Sequence, residues 1–173
     1  LRLSTQGKNF EALKQKVEAE VEKVTPLIQK FIFGFENYGE PSPTIERVVS
    51  ELLRARKQTL SVAESCTGGY LSSLFTAIAG SSEIFRGAVV PYANITKHTI
   101  LQVDKNLFET VGAVSRECVE QLAQNVRLKF ESDYSISVSG IAGPGGATPE
   151  KPVGTVWIAV ASKEKTIALK FQF

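Results

Sequence analysis

From residue 42 onward the apolar residues change their spacing repeatedly, and this alternation limits the chain to very few architectures. Ile45, Val48, Val49, Leu52 and Leu53 follow the three-and-four spacing of one helix face, with Ser42 as its cap and Pro43 in its first turn. Residues 59–63 read as a strand, and Leu71, Leu74, Phe75 and Ile78 restore the helical spacing. Residues 87–92 read as strand and 94–101 as a short helix. Ser115 caps a third long helix bearing Val119, Leu122, Ala123, Val126 and Phe130. Tyr134, Ile136 and Val138 alternate with serines in a strand, and residues 153–160 and 166–173 read as two neighbouring strands. Helices interleaved with strands predict an α/β fold: a layered domain with a mixed, largely buried sheet flanked by helices.

Residues 1–40 differ in character and read as a small α+β segment. Leu1 and Leu3 around Arg2 suggest a strand, and Phe10, Leu13, Val17, Val21 and Val24 a helix interrupted near its end by Pro26. Residues 31–35, with three phenylalanines, suggest a second strand. So small a piece buries little area and is expected to lean on something else. Residues 37–43 hold one Gly and two Pro and read as the linker.

Composition narrows the function. Hydrophobic residues make up 43% of the chain, enough for a core, and the formal net charge is only +2, against a nucleic-acid grip by bulk charge. No apolar run is long enough to span a membrane, and no signal peptide opens the chain. Cys66 and Cys118 allow at most one disulfide, which suggests a reducing, cytoplasmic setting. With them, a single histidine, His98, leaves too few ligands for a zinc centre, so no metal and no cofactor are expected. The chain starts at Leu1 and contains no methionine, so it reads as a fragment of a longer protein.

Three stretches could carry chemistry. The first, residues 63–69, lies where a strand gives way to a helix, and its Ser65 could be presented as a nucleophile. Backbone N–H groups from Cys66 to Gly68 would stabilise an oxyanion, with Thr67, Gly68 and Gly69 near the substrate. The competing reading makes Ser65 or Thr67 a helix cap. Cys66 reads as a buried structural thiol, and Glu64 either orients a catalytic group or accepts hydrogen bonds from the helix turn. In the second, residues 89–97, Tyr92 and Lys97 could face the same crevice, and a serine without histidine needs a base that a neutral lysine supplies. The plain alternative is a solvated lysine and a packed tyrosine ring. His98 is given no role. The third stretch, residues 140–154, follows a strand and holds Gly140, Ile141, Ala142, Gly143, Pro144 and Gly145. Its glycines allow close approach of a phosphate or ribose, with Lys151 adding charge, although it is neither a Walker loop nor a dinucleotide fingerprint. Otherwise it is a long connector.

The runs AESCTGG (63–69), GSSEIFRGAVVPYANITK (80–97), GAVS (112–115), SGIAGPGG (139–146) and EKPVGTVW (150–157), in this order, resemble the C-terminal domain of CinA, the nicotinamide-nucleotide amidase family. The resemblance covers residues 42–173, so the expected domains are a KH-like connector at 1–40 and the amidase domain at 41–173. It implies hydrolysis of the carboxamide of nicotinamide mononucleotide to the carboxylate with release of ammonia. The family's catalytic serine, tyrosine and lysine correspond to Ser65, Tyr92 and Lys97. Expected partners are the nucleotide, an upstream molybdopterin-binding-like domain of the same full-length chain and a second copy in a homodimer, with no nucleic acid or membrane. Two departures stand out. Ala88 replaces a usual glycine after Gly87, which would tighten a turn, and the chain ends at Phe173 where the family continues into a final helix. Two alternative functions are a non-catalytic pyridine-nucleotide-binding or regulatory domain, and a competence or damage-response DNA adaptor, which the low net charge disfavours.

Overall fold

The computed structural model describes residues 1–36 and 43–173, and the chain divides into two compact units, 1–48 and 49–173. The predicted linker through residue 42, and with it the Ser42 cap, lies outside the described residues.

In the first unit, α1 spans Phe10–Ile28. Asn9 begins it, its side chain accepting from Ala12 N at 3.1 Å. Leu13, Val17, Val21 and Val24 form the half-buried stripe that the spacing predicts, whereas Phe10 is exposed. Pro26 does not stop the helix, which continues two residues further. Neither expected strand exists: residues 1–3 are irregular, and a 3-10 turn at Gln29–Phe31 runs into unpaired chain. A strand is stable only when its backbone N–H and C=O groups meet a partner. Among the described residues of this unit there is none.

The remaining elements are α2 (Ile45–Arg56), β1 (Leu60–Glu64), α3 (Tyr70–Thr76), β2 (Phe85–Val89), α4 (Asn94–Leu101), α5 (Asn106–Thr110), α6 (Arg116–Lys129), β3 (Tyr134–Gly140), β4 (Thr155–Ala161) and β5 (Thr166–Gln172). The sheet order is β2-β1-β3-β4-β5. β1 pairs parallel with both β2 and β3, and β4 and β5 add antiparallel, so the sheet is mixed as expected. Leu53, Leu60, Val62, Phe75 and Ile84 fill the core between the sheet and α2–α3. On the opposite face Ala63, Leu101, Val103, Cys118, Leu122 and Val126 pack together, with Val119 and Ala123 against the alanines of β4 and β5.

Three details differ from the pattern reading. β2 starts two residues earlier and ends at Val89, because Pro91 has no N–H to continue a ladder. In α2 the buried positions are Ser50 and Leu53, while Ile45 and Leu52 are 60% and 50% exposed: only one flank of the broad apolar stripe meets the sheet. Gly87 and Ala88 make no turn; Ala88 pairs with Val62 inside the sheet.

The serines of β3 face the helices rather than water. Ser135 and Ser137 donate to the carbonyls of Ala123 and Val119, both at 2.6 Å, and Ser139 donates to Ala113 O at 2.9 Å. Small side chains on both surfaces let α6 come close enough for these bonds, so the polar row is buried and satisfied. Ser115 caps α6 as predicted, accepting from Cys118 N at 3.3 Å.

Gly87 sits at φ +144° with the Phe130 ring where a Cβ would fall, 2.7 Å from Cε1. Gly87→Ala combines backbone strain with overpacking and should destabilise the domain by about 2–4 kcal/mol. A lowered urea midpoint at unchanged slope is the expected reading.

Candidate functional site

β1 has β2 on one side and β3 on the other, so the loops leaving the C-terminal ends of β1 and β3 diverge. Open α/β sheets bind ligands at such a point. Two of the predicted stretches lie there: residues 65–69 after β1, and residues 141–154 after β3. They touch at their bases. A Cβ on Gly140 would fall 3.0 Å from Cys66 Sγ and 2.8 Å from Val156, so only glycine lets the two loops meet.

Ser65 is buried at the head of the first loop, its N–H held by Val138 O at 3.0 Å. Lys97, one turn into α4, reaches it: its Nζ donates to Ser65 Oγ at 3.2 Å and to the carbonyl of Tyr92 at 2.7 Å. The lysine is 2% exposed, and among the described residues no carboxylate lies within ion-pair distance of it. Burial pushes its ammonium below the ordinary lysine range, against a weaker pull upward from Cys118 and Cys66. Those thiols are no counter-charge at neutral pH. Burial drives Cys118 up to about 11 and raises Cys66 as well. Burial therefore favours the neutral amine at Lys97 more than at an exposed lysine, beside a serine hydroxyl.

The third predicted member stands differently. Tyr92 contributes its main-chain carbonyl, while its side chain is 71% exposed and its hydroxyl makes no hydrogen bond among the described residues. The structure thus brings Ser65 and Lys97 into direct contact without a phenol between them.

A count of the turn's backbone donors corrects the expected oxyanion site. Gly68 N–H bonds Ser65 O at 3.1 Å, and Tyr70 N–H bonds Thr67 O at 3.0 Å. Glu64, fully buried, takes Gly69 N–H at 3.1 Å, Leu71 N–H at 2.9 Å, Ser72 N–H at 2.8 Å and the Ser72 hydroxyl. Only Cys66 and Thr67 N–H remain, reaching nothing stronger than the Cys66 sulfur, a weak acceptor. Gly68 and Gly69 instead supply left-handed φ values, +61° and +102°, and Gly68 faces open space. Of the two readings of Glu64, the structure selects acceptance of the helix-turn donors. Burial pushes its carboxyl up, but hydrogen bonds led by the Ser72 hydroxyl outweigh that and hold it below its usual range.

The second loop has a fixed stem and an exposed tip. Ile141 N–H bonds Thr155 O at 2.9 Å and Gly154 N–H bonds Ile141 O at 2.8 Å, while Ala142, Gly143, Pro144 and Gly145 are exposed. Lys151, expected to offer charge, donates its ammonium to Val111 O, a contact with no sequence signal. Gly143 has φ +79° and a Cβ there would strike Val153, so its constraint is internal to the loop. At Gly145 a Cβ would meet nothing. His98 Nδ1 lies 2.9 Å from Val103 O near the end of α4. Among the described residues no group of three or more His, Cys, Asp or Glu could hold a metal ion, and no helix is long and apolar enough to cross a membrane.

Comparison with known proteins bears on the family and the fold. A family profile described as the CinA C-terminal domain matches residues 42–173. A CinA-like protein of Cytophaga hutchinsonii is 44% identical over 172 residues, covering 99% of this chain and 40% of its own length. One from Thermotoga maritima is 44% identical over 173 residues, covering 100% and 40%. The chain thus spans about two fifths of the curated relatives it matches. Among solved structures, the competence/damage inducible protein CihA from Agrobacterium tumefaciens is 32% identical with a TM-score of 0.73, covering 78% of this chain and 84% of that one. A competence-damaged protein (CinA) superfamily member from Escherichia coli is 30% identical with a TM-score of 0.70, covering 84% and 85%. With the five motifs in order, the mixed sheet and these matches in agreement, the chain belongs to the CinA C-terminal domain family.

Proposed function

We propose that residues 42–173 form a serine amidohydrolase that converts the carboxamide of nicotinamide mononucleotide to the carboxylate and ammonia. The observation that carries this reading is the sealed amine of Lys97, without a carboxylate partner, on Ser65 Oγ. The pyridine-nucleotide substrate rests on the family resemblance, and the glycine-dense loop beside the nucleophile suits a phosphate-bearing ligand.

Ser65 Oγ attacks the carboxamide carbon as its proton passes to Lys97 Nζ, and the N–H groups of Cys66 and Thr67 receive the oxyanion. Collapse of the tetrahedral intermediate breaks the C–N bond. Lys97 returns the proton to the leaving nitrogen, which departs as ammonia. Water then attacks the acyl-enzyme, again giving a proton to Lys97. The ester bond breaks, Lys97 returns its proton to Ser65 Oγ, and the product leaves as the carboxylate, its own acid proton passing to solvent or to the released ammonia. The Tyr92 carbonyl anchors Nζ through each exchange.

Ser65→Ala should abolish ammonia release while leaving the mononucleotide bound, measured by calorimetry beside the turnover assay. Near-wild-type turnover would move the mechanism to direct attack by water. Lys97→Arg should cost on the order of 10²-fold or more in kcat, because a guanidinium stays protonated. Tyr92→Phe should cost less, since it removes a hydroxyl without a partner in the free chain. The neutral amine is the active form. The rate should therefore rise with pH through the lowered Lys97 pKa and level off above it.

The loop makes a separate prediction. Gly145→Val adds bulk in open space without backbone strain, and should raise KM about tenfold or more with kcat nearly kept. An unchanged KM would reduce the loop to a connector. Because the proton acceptor is a lysine, chelator treatment should leave ammonia release unaltered. Loss restored by zinc or magnesium would refute the metal-free scheme.

A further inference from the structure

Of the backbone N–H groups at 66–72 only those of Cys66 and Thr67 lack a strong acceptor, and one side chain takes three of the other five. Glu64 is the last residue of β1, adjoins Ser65, and has no exposed surface. Its Oε2 binds the amides of Gly69 and Leu71, and its Oε1 binds the amide and hydroxyl of Ser72. The carboxylate thereby ties the end of a strand to the first turn of α3 across the intervening loop. That loop holds the nucleophile and the two glycines with left-handed φ, so it is the part of the turn with most backbone freedom. A serine or asparagine cap would satisfy so short a helix from the surface, without the desolvation of a charged group.

We propose that Glu64 is a positioning residue for the amidase reaction. It fixes both ends of the 65–68 loop and engages the competing donors of Gly69, Leu71 and Ser72. The amides of Cys66 and Thr67 are left as the pair that receives the oxyanion. The inference rests on the serine-nucleophile reading above. It assigns to Glu64 no contact with substrate, and it separates this carboxylate from Lys97, whose proton transfers it does not share.

The test is the rate at which a fluorophosphonate probe labels Ser65 in the full chain, because its phosphoryl oxygen develops charge as a tetrahedral intermediate does. Glu64→Gln puts an NH2 donor against N–H donors. It should slow labelling by at least about tenfold at a temperature where the variant is folded, with the pH midpoint of labelling unchanged. A purely structural cap would lower the melting temperature and leave the rate below it intact. Wild-type labelling by folded Glu64→Gln overturns the proposal. If that variant does not fold, Ser72→Ala decides. It removes one hydroxyl donor and no backbone bond, so several-fold slower labelling supports the role and an unchanged rate overturns it. Absence of Ser65 labelling in the wild-type chain, by contrast, overturns the nucleophile reading itself and the positioning role with it.

Discussion

A lysine sealed from water, with no carboxylate within ion-pair distance among the described residues, is the constraint on which the rest of this structure depends. The lowered pKa of Lys97 comes from burial, so it lasts only as long as the surrounding elements are fixed and keep water out. The fixing is visible along α4. Gln102 ends the helix in a left-handed conformation, which returns Val103 to bond Lys97 O at 3.3 Å. Asn125 of α6 donates to Leu101 O at 2.6 Å, and Leu101 and Val103 are buried against Cys118, Leu122 and Val126. The apolar face of α6 thus acts on the site indirectly, by holding the helix that carries Lys97.

The same helix sets the other half of the pair. The serine row of β3 lets α6 lie close against the sheet, and β3 in turn carries Val138, whose carbonyl holds Ser65 N–H. Ser65 and Lys97 therefore reach each other through one shared support. A bulky residue at Ser135 or Ser137 would lift α6 and alter both contacts together. This explains why a strand so rich in serine lies in the centre of a sheet: the polar atoms are part of the packing, and each has its acceptor.

Much of this was legible in the residues themselves, and the misses have physical causes. The helix at 94–101, the capped α6 and the final hairpin of strands follow from spacing alone, because each has a strong period and clear punctuation. Residues 1–3 and 31–35 have strand-forming side chains yet no partner, and composition cannot report a missing partner. The stripe of α2 was drawn too wide because periodicity shows which residues share a face, not how much of that face is covered. At the site, residue types and order pointed to Ser65 and Lys97. They could not show that Tyr92 enters through its carbonyl, nor that Glu64 removes Gly69 from the donors. Backbone bonding is decided by three-dimensional position, and side-chain identity is silent about it.

The two loops of the site differ in how they are held, and on the proposed function the difference corresponds to a division between chemistry and recognition. Ser65, Glu64 and Lys97 are buried, and every backbone N–H from Ser65 to Ser72 except those of Cys66 and Thr67 has a strong acceptor within the chain. Reacting groups need such preorganisation, because a small displacement of nucleophile or base costs large factors in rate. The 141–154 loop has a paired stem and a long exposed tip, with one ammonium resting on a carbonyl it could leave at the expense of a single bond. Segments of that kind tolerate replacement without disturbing a core. On the proposed function, a change of substrate within this fold would accordingly be made in residues 142–150, leaving the Ser65–Lys97 pair and Glu64 untouched.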